Sequence, residues 1–231
     1  ERLADGRGVE IGGEPATRAP PGYPLVLAGA FVLADVVGAP RSDAVAPLTI
    51  ALAATAGLLL HLVARQLLGR RVAWVASAAW LAYPLTLWTT KQPNSEVPFL
   101  VGLYAAVLLL VPLVSEGRTG PRRLAAAGLV LGLAAIVRPA GLVLIPAVGL
   151  VVWLRLNGDR WRRLGLVPVL AVAAAAPVLV VSAWTSAQRD RVALLSDSNV
   201  ANLVEGLSFA VDSPEEARDL PMPGGLREFV I

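Results

Sequence analysis

Long apolar runs, separated by short polar segments, make up most of the chain between residues 22 and 184. Most of the runs have the length of about 20 residues that an α-helix needs to cross a bilayer, and they lack the alternation of a β-barrel. The pattern predicts spans over about 45 to 68, 72 to 90, 97 to 114 and 165 to 184, with a divided segment from 124 to 154. The predicted fold class is an all-α polytopic membrane protein with about five to seven transmembrane helices or half-spans.

The segments outside these spans are predicted to lie at the membrane surface or in solvent. Residues 1–21 are rich in Gly, Pro and mixed charge, which indicates an external loop. Residues 22–42 form a short apolar run bounded by Gly and Pro, which fits an interfacial juxtamembrane helix as well as a marginal span. Residues 43–184 form the transmembrane helical domain, and 185–231 form an external polar tail, the start of an exoplasmic segment.

Arginines between the apolar runs predict the orientation of the chain. They form three groups: Arg65, Arg70 and Arg71; Arg118, Arg122 and Arg123; and Arg155, Arg160, Arg162 and Arg163. The positive-inside rule places all three groups on the cytoplasmic side, so out-and-back hairpins must join them. The second hairpin has to turn near Arg138 and Pro139. A single helix of about thirty residues would instead bury Arg138 at a cost of about 2.5–3.5 kcal/mol, so we predict the hairpin, with Arg138 near the outer surface.

Composition narrows the possible functions. The chain is 56% hydrophobic and 16% charged, with a mean hydropathy of +0.65, which excludes an ordinary soluble domain. Cysteine is absent, which excludes disulfides, thiolate metal sites and cysteine nucleophiles. The net charge of +3 comes from arginines at the ends of apolar runs, so it predicts no nucleic-acid partner. Arginine is far commoner than lysine, which indicates a GC-rich bacterial genome. The one histidine, His61, lies in an apolar run and is predicted to pack between helices.

Acidic residues are rare in the membrane domain, and one of them is a candidate for chemistry. Between residues 45 and 184 the acids are Glu96, Glu116 and Asp159. Glu116 and Asp159 share loops with arginines and are interpreted as solvated charges. Glu96 begins a helix, where a carboxylate favoured by the helix dipole has a simple structural explanation. Capping does not explain why Lys91 and Asn94 lie at the same outer edge, so a catalytic or binding role is the alternative.

Arg138 is the second candidate, because it lies between the two arms of the divided segment. A guanidinium is always charged and can bind a phosphate through two parallel hydrogen bonds. The competing interpretation is an arginine that extends to the interface and marks the end of a helix. The sequence contains no phosphate-binding glycine loop, zinc-protease motif or hydrolase nucleophile elbow. Any chemistry is therefore expected to use a few groups at the outer face.

Five segments of the chain resemble one enzyme family. In order they are ERLADGRG, PPGYPLVLAG, ARQLLGRR, YPLTLWTTKQPNSEVPF and LGLAAIVRPAGLVLIP. Together they resemble the family 39 branch of the GT-C glycosyltransferases, which includes protein O-mannosyltransferases and lipid A aminoarabinose transferases. The resemblance covers nearly the whole chain. It implies an enzyme of the bacterial inner membrane that transfers a hexosyl or pentosyl group from a polyprenyl-phosphate-linked sugar, on the exoplasmic face, to a protein or glycolipid acceptor.

The resemblance also assigns roles to individual residues. Glu96 matches the second acidic position of the family, and Arg138 matches an arginine or lysine before Pro or Gly. Arg18 falls near a basic position that some members use for the lipid phosphate, and Lys91 and Asn94 are grouped with it as substrate-binding candidates. The main catalytic Asp of the family is expected upstream of Glu1, so the chain is expected to be N-terminally truncated and inactive alone.

The remaining expectations concern cofactors and rival functions. Some members of the family use a divalent metal, for which this sequence has no identifiable ligands. Two other functions stay open: a secondary transporter or permease domain, for which the Arg138–Pro139 break would be a broken helix near mid-membrane, and a non-catalytic membrane scaffold.

Overall fold

The structure, a computed structural model, describes residues 5, 10–11, 14–15, 20–91, 93–157, 160–189 and 195. In this part of the chain two short strands precede a series of helices. The strands, β1 and β2, pair antiparallel over Glu10–Ile11 and Glu14–Pro15, and a 3₁₀ turn follows the first helix at Arg41–Ala44. The helices are α1 Gly22–Val37, α2 Val45–Leu68, α3 Arg70–Ala82, α4 Pro84–Thr89, α5 Glu96–Glu116, α6 Pro121–Val137, α7 Gly141–Arg155 and α8 Arg160–Arg189.

The lengths and composition of the helices confirm the predicted class of all-α membrane protein. Within the described residues, three stretches are long and apolar enough to cross a bilayer: Arg41–Leu68, Glu96–Glu116 and Arg163–Ala187. α1 and α7 are apolar but shorter, as expected for a juxtamembrane helix and for one arm of a hairpin. The interfacial placement of α1 stays a prediction, since it depends on the bilayer.

The predicted span from 72 to 90 is wrong as a single helix. α3 ends at Ala82, Tyr83 adopts an extended conformation, and Pro84 opens the short helix α4. Proline lacks an N–H group and disfavours helical angles at the preceding residue. An apolar run can therefore have the length of a span while its backbone is divided.

The divided segment from 124 to 154 is an out-and-back hairpin of α6 and α7. The backbone N–H of Asn157, just after α7, donates to the carbonyl of Gly117, just before α6, at 2.9 Å. The Asn157 side chain also donates to the Glu116 carbonyl at 3.1 Å. The end of α7 thus returns to the junction of α5 and α6. The single long helix is excluded, and Arg138 lies at the opposite end of the helix bundle.

α6 is the central helix, and its glycines allow α8 to approach closely. A Cβ atom on Gly128 would collide with the carbonyl oxygen of Leu170, and one on Gly132 with that of Ala174. Small residues spaced four apart let helix backbones meet in a membrane, where no hydrophobic effect drives helices together. α8 follows α6 in the same direction over this contact, so the two helices pack closely along the half of α6 that leads to Arg138. A buried cluster secures the other end: Leu110, Leu113, Leu124, Ala127, Val152, Leu156 and Leu170.

His61 packs between α2 and α3, as the sequence predicts. Its Nδ1 atom lies 3.0 Å from Oγ of Ser77, and its ring meets the Trp74 ring edge to face at 5.0 Å. The Ser77 hydroxyl donates to the carbonyl of Ala73 at 2.9 Å, so the Nδ1 of His61 is the donor to Ser77. These contacts give His61 a structural role.

Candidate functional site

One end of the bundle, here termed the Arg138 end, brings together loop residues 90, 91 and 93–96 and the α6–α7 turn of residues 138–140. The Thr49 hydroxyl in the first turns of α2 donates to the carbonyl of Thr90 at 2.8 Å, which fixes the loop against α2. In the α6–α7 turn, the N–H groups of Gly141 and Leu142 donate to the carbonyls of Arg138 and Pro139, both at 2.9 Å. Both backbone segments are thus held by hydrogen bonds that do not involve the side chains of Glu96 and Arg138.

Glu96 and Arg138 form an ion pair at this end. Nη1 of Arg138 donates to Oε1 of Glu96 at 2.8 Å, across 42 residues of sequence. Their side chains are 44% and 40% exposed, respectively, so the pair remains open to solvent and to a ligand. An ion pair this exposed contributes only about 0.2–1 kcal/mol to stability. A guanidinium carries five N–H donors, and this is the only ion pair of Arg138 within the described residues, so several donors remain for an anion.

Asn94 caps the helix that carries Glu96. Its Oδ1 atom accepts from the backbone N–H groups of Glu96 and Val97 at 3.1 and 3.2 Å. Its Nδ2 group donates to the carbonyl of Thr89 at 2.6 Å, which links the cap to the end of α4. Asn94 therefore supplies the cap, whereas Ser95, the residue directly before the helix, makes no side-chain capping bond. Asn94 thus accepts from the N–H groups at the helix start that have no partner within the helix. The carboxylate of Glu96 is therefore available for Arg138 and for substrate.

Lys91 lies in the same loop but outside the ion pair. Its backbone N–H donates to the carbonyl of Trp88 at 3.1 Å and closes the turn after α4. Its side chain is exposed and makes no ion pair within the part of the chain that the structure describes. Arg18 lies outside the described residues. The structure thus joins Glu96 with Arg138, puts Asn94 beside them, and leaves Lys91 as a neighbouring cation.

A second charged cluster, which the sequence analysis did not predict, lies at the end of α1. Nε and Nη2 of Arg41 donate to the two carboxylate oxygens of Asp35 at 3.0 and 2.8 Å, and Nη2 lies 2.7 Å from Oδ1 of Asp5. The hydrogen bonds from Arg41 lower the pKa of the Asp35 carboxyl below its usual value. The signal in the sequence is an acid and a base on either side of the Gly38–Pro40 turn. Their pairing fixes that turn.

The described residues offer no ligand set for a metal. Among them, no three His, Asp or Glu side chains lie close enough together to hold an ion. Glu96 is paired with a cation, and Asp35 and Asp5 share Arg41. The divalent metal implied by the family resemblance therefore does not fit these residues.

Comparison with known protein families matches most of the chain. The family model described as dolichyl-phosphate-mannose-protein mannosyltransferase matches residues 18–184. That stretch contains Arg18, Lys91, Asn94, Glu96 and Arg138, and it extends from before α1 into the last turns of α8. No curated protein and no solved structure matches the chain.

Proposed function

Because the chain belongs to the dolichyl-phosphate-mannose-protein mannosyltransferase family, which makes it a membrane glycosyltransferase of the GT-C type, we propose that its donor is a polyprenyl-phosphate-linked sugar. The sugar goes to a hydroxyl of a protein or glycolipid acceptor at the outer face of a bacterial inner membrane. The position of the arginine groups at the end opposite Arg138 supports this orientation. The motif order of the sequence supports the family 39 branch.

The observation that carries this proposal is the Glu96–Arg138 ion pair. A glycosyl transfer of this kind needs a cation for the departing phosphate and a carboxylate near the acceptor. The Arg138 end supplies one of each at 2.8 Å, half exposed and in reach of a substrate. The ion pair contributes little to stability, so a structural explanation alone accounts poorly for two charges at the end of apolar helices.

The proposed reaction is an inverting displacement at the anomeric carbon. The acceptor oxygen forms the new bond to that carbon, and the bond from the carbon to the phosphate oxygen breaks with both electrons leaving on the phosphate. The acceptor proton passes to a carboxylate base. We assign Glu96 the task of orienting the acceptor hydroxyl, and Arg138 that of stabilising the polyprenyl phosphate as negative charge develops on it.

The charges at this end favour a phosphate. The carboxylate of Glu96 holds the guanidinium through Nη1, so its remaining donors are oriented before substrate arrives. Glu96 and Arg138 cancel in formal charge, and Lys91 in the adjacent loop adds a positive charge that offsets part of the donor phosphate. Asn94 fixes the helix start and thereby the position of Glu96.

The full-length protein, including any residues encoded upstream of Glu1, is purified and supplied in bilayer nanodiscs with a labelled polyprenyl-phosphate sugar and a hydroxyl acceptor to test the proposal. We expect release of polyprenyl phosphate together with a labelled acceptor, and no product from a nucleotide sugar of the same hexose. Transfer from the nucleotide sugar would contradict the proposed donor. Uptake of free sugar into proteoliposomes without bond cleavage would favour the transporter alternative.

A further inference from the structure

The first turn of α1 touches the last turn of α6 backbone to backbone. Pro21 and Gly22, within the PPGYP motif of residues 20–24, are buried, and Gly22 is the first residue of α1. A Cβ atom on residue 22 would lie 2.5 Å from the carbonyl oxygen of Ile136 and 2.6 Å from the backbone nitrogen of Val137. Backbone atoms cannot rotate away as a side chain can. Only glycine therefore fits at this position. The backbone that it contacts, Ile136 and Val137, directly precedes Arg138 in the chain.

The next residue of the motif lies beside the residue that caps the other helix of the ion pair. The Tyr23 hydroxyl is buried beside the backbone of Asn94, without a well-aligned hydrogen bond. Asn94 is the residue whose side chain caps α5 at Glu96. Two consecutive residues, Gly22 and Tyr23, thus contact the two backbone segments from which Arg138 and Glu96 extend.

We propose that Gly22 and Tyr23 are positioning residues that set the distance between Glu96 and Arg138. The motif contacts the end of α6 at Ile136 and Val137 and lies beside Asn94 just before α5, and its task is to fix how these two segments are placed. This inference rests on the proposed roles of Glu96 and Arg138 in transfer. It assigns a task to a motif that makes no ion pair or side-chain hydrogen bond of its own in the described structure.

The geometry explains why a small change at residue 22 has a large effect. A methyl group there must move α1 away from Ile136 and Val137. Tyr23 then loses its contact with the backbone of Asn94. Arg138 adopts an extended conformation immediately after the helix, so a shift of the last turn of α6 moves its side chain directly. A displacement of about 1 Å at reacting groups can lower a rate by about a hundredfold.

A crosslinking experiment measures this distance without any donor. The chain lacks cysteine, so the substitutions Glu96→Cys and Arg138→Cys can be joined by a short bifunctional thiol reagent in nanodiscs. Gly22→Ala should lower the crosslinking rate severalfold. The matched control is Gly29→Ala in the same helix, where a Cβ atom meets nothing within 4 Å, and it should leave the rate unchanged. If Gly22→Ala does not fold, Tyr23→Ala introduces no clash and should give the same loss. An unchanged rate in the folded variants would overturn the proposal.

A second experiment separates positioning from general damage. Gly22→Ala should reduce kcat/KM by about tenfold or more when Arg138 is present, but only slightly in the Arg138→Ala background, because coupled residues are not additive. An equal factor in both backgrounds would mean a purely structural effect and would overturn the proposal. Normal transfer by Arg138→Ala alone would contradict the proposed role of Arg138 and not the positioning by Gly22, because the crosslinking experiment measures the distance between positions 96 and 138 without any transfer.

Discussion

Nη1 of Arg138 lies 2.8 Å from Oε1 of Glu96, although 42 residues separate them in the sequence. Glu96 opens α5, and Arg138 follows the last residue of α6, so the pair connects two antiparallel neighbouring helices. The side chain of Asn94, and not that of Glu96, caps α5. The two charges are therefore available to a ligand at the end of the bundle, and their separate replacement should have different effects.

Replacement of Arg138 should act on the donor. Arg138→Ala should weaken donor binding and slow transfer, because the departing phosphate loses its guanidinium. Arg138→Lys should recover only part of the activity, since an ammonium cannot bind two phosphate oxygens in a planar fork. Donor titration and single-turnover transfer, after a check that each variant is folded in detergent, measure both effects. Near-normal donor affinity in Arg138→Ala would make this residue a helix-end arginine.

Replacement of Glu96 should act on catalysis rather than folding. Glu96→Gln keeps the shape of the side chain, and Asn94 continues to cap α5, so the thermal unfolding temperature should change little. Transfer should fall by about a hundredfold or more, the usual scale for a group that assists proton transfer or orients a reactant. Asn94→Ala instead removes the cap and keeps the Glu96 carboxylate, so its main effect should be a lower thermal unfolding temperature. Full activity of folded Glu96→Gln would return this residue to a structural role.

Orientation can be tested by labelling single cysteines in the cysteine-free chain. Lys91→Cys lies at the Arg138 end, whereas Arg118→Cys and Arg160→Cys lie at the end that carries the arginine groups, and all three positions are exposed. A thiol reagent that cannot cross the membrane should modify position 91 in intact cells, and positions 118 and 160 only after permeabilisation. The reverse pattern would place the site on the cytoplasmic face.

The contact between α6 and α8 should tolerate no added methyl group. Gly128→Ala places a Cβ atom against the carbonyl of Leu170, and overpacking of this kind costs about 1–3 kcal/mol. Gly165→Ala is the matched control on α8, where a Cβ atom meets nothing within 4 Å. Thermal unfolding in one detergent should show a lower midpoint for Gly128→Ala and an unchanged or higher midpoint for Gly165→Ala. Equal midpoints would contradict the close approach of these helices.

The Asp35–Arg41 pair should give a pH dependence of defined sign. Hydrogen bonds from Arg41 hold the folded-state pKa of the Asp35 carboxyl below its usual value, so its contribution to stability is present above the unfolded pKa and lost as the pH falls through the folded pKa. Asp35→Asn should lower the unfolding midpoint slightly at pH 7, and this difference should shrink as the pH falls through the folded pKa. In an Arg41→Ala background the same substitution should show no such pH-dependent difference. A difference that grows on acidification would contradict this assignment.

Several local features were predictable because they depend on neighbouring residues or on the bilayer. Apolar length and arginine bias predicted the helices and the α6–α7 hairpin, and the hydrogen bond of Asn157 to Gly117 confirms the hairpin. The cap at Asn94 follows from an amide side chain just before a helix. The break at Tyr83 was missed because hydropathy outweighed the proline that follows it, although Pro84 was visible in the sequence.

The sequence by itself determined which polar residues stand at the ends of apolar helices, and among them it identified Glu96 and Arg138 separately. Only the tertiary structure decided that they meet. Their distance depends on how α6 lies against α8 through Gly128 and Gly132, and on how α1 approaches α6 at Gly22. Such contacts join residues far apart in the chain, and their rotation and offset depend on packing of whole helices, which no local pattern encodes.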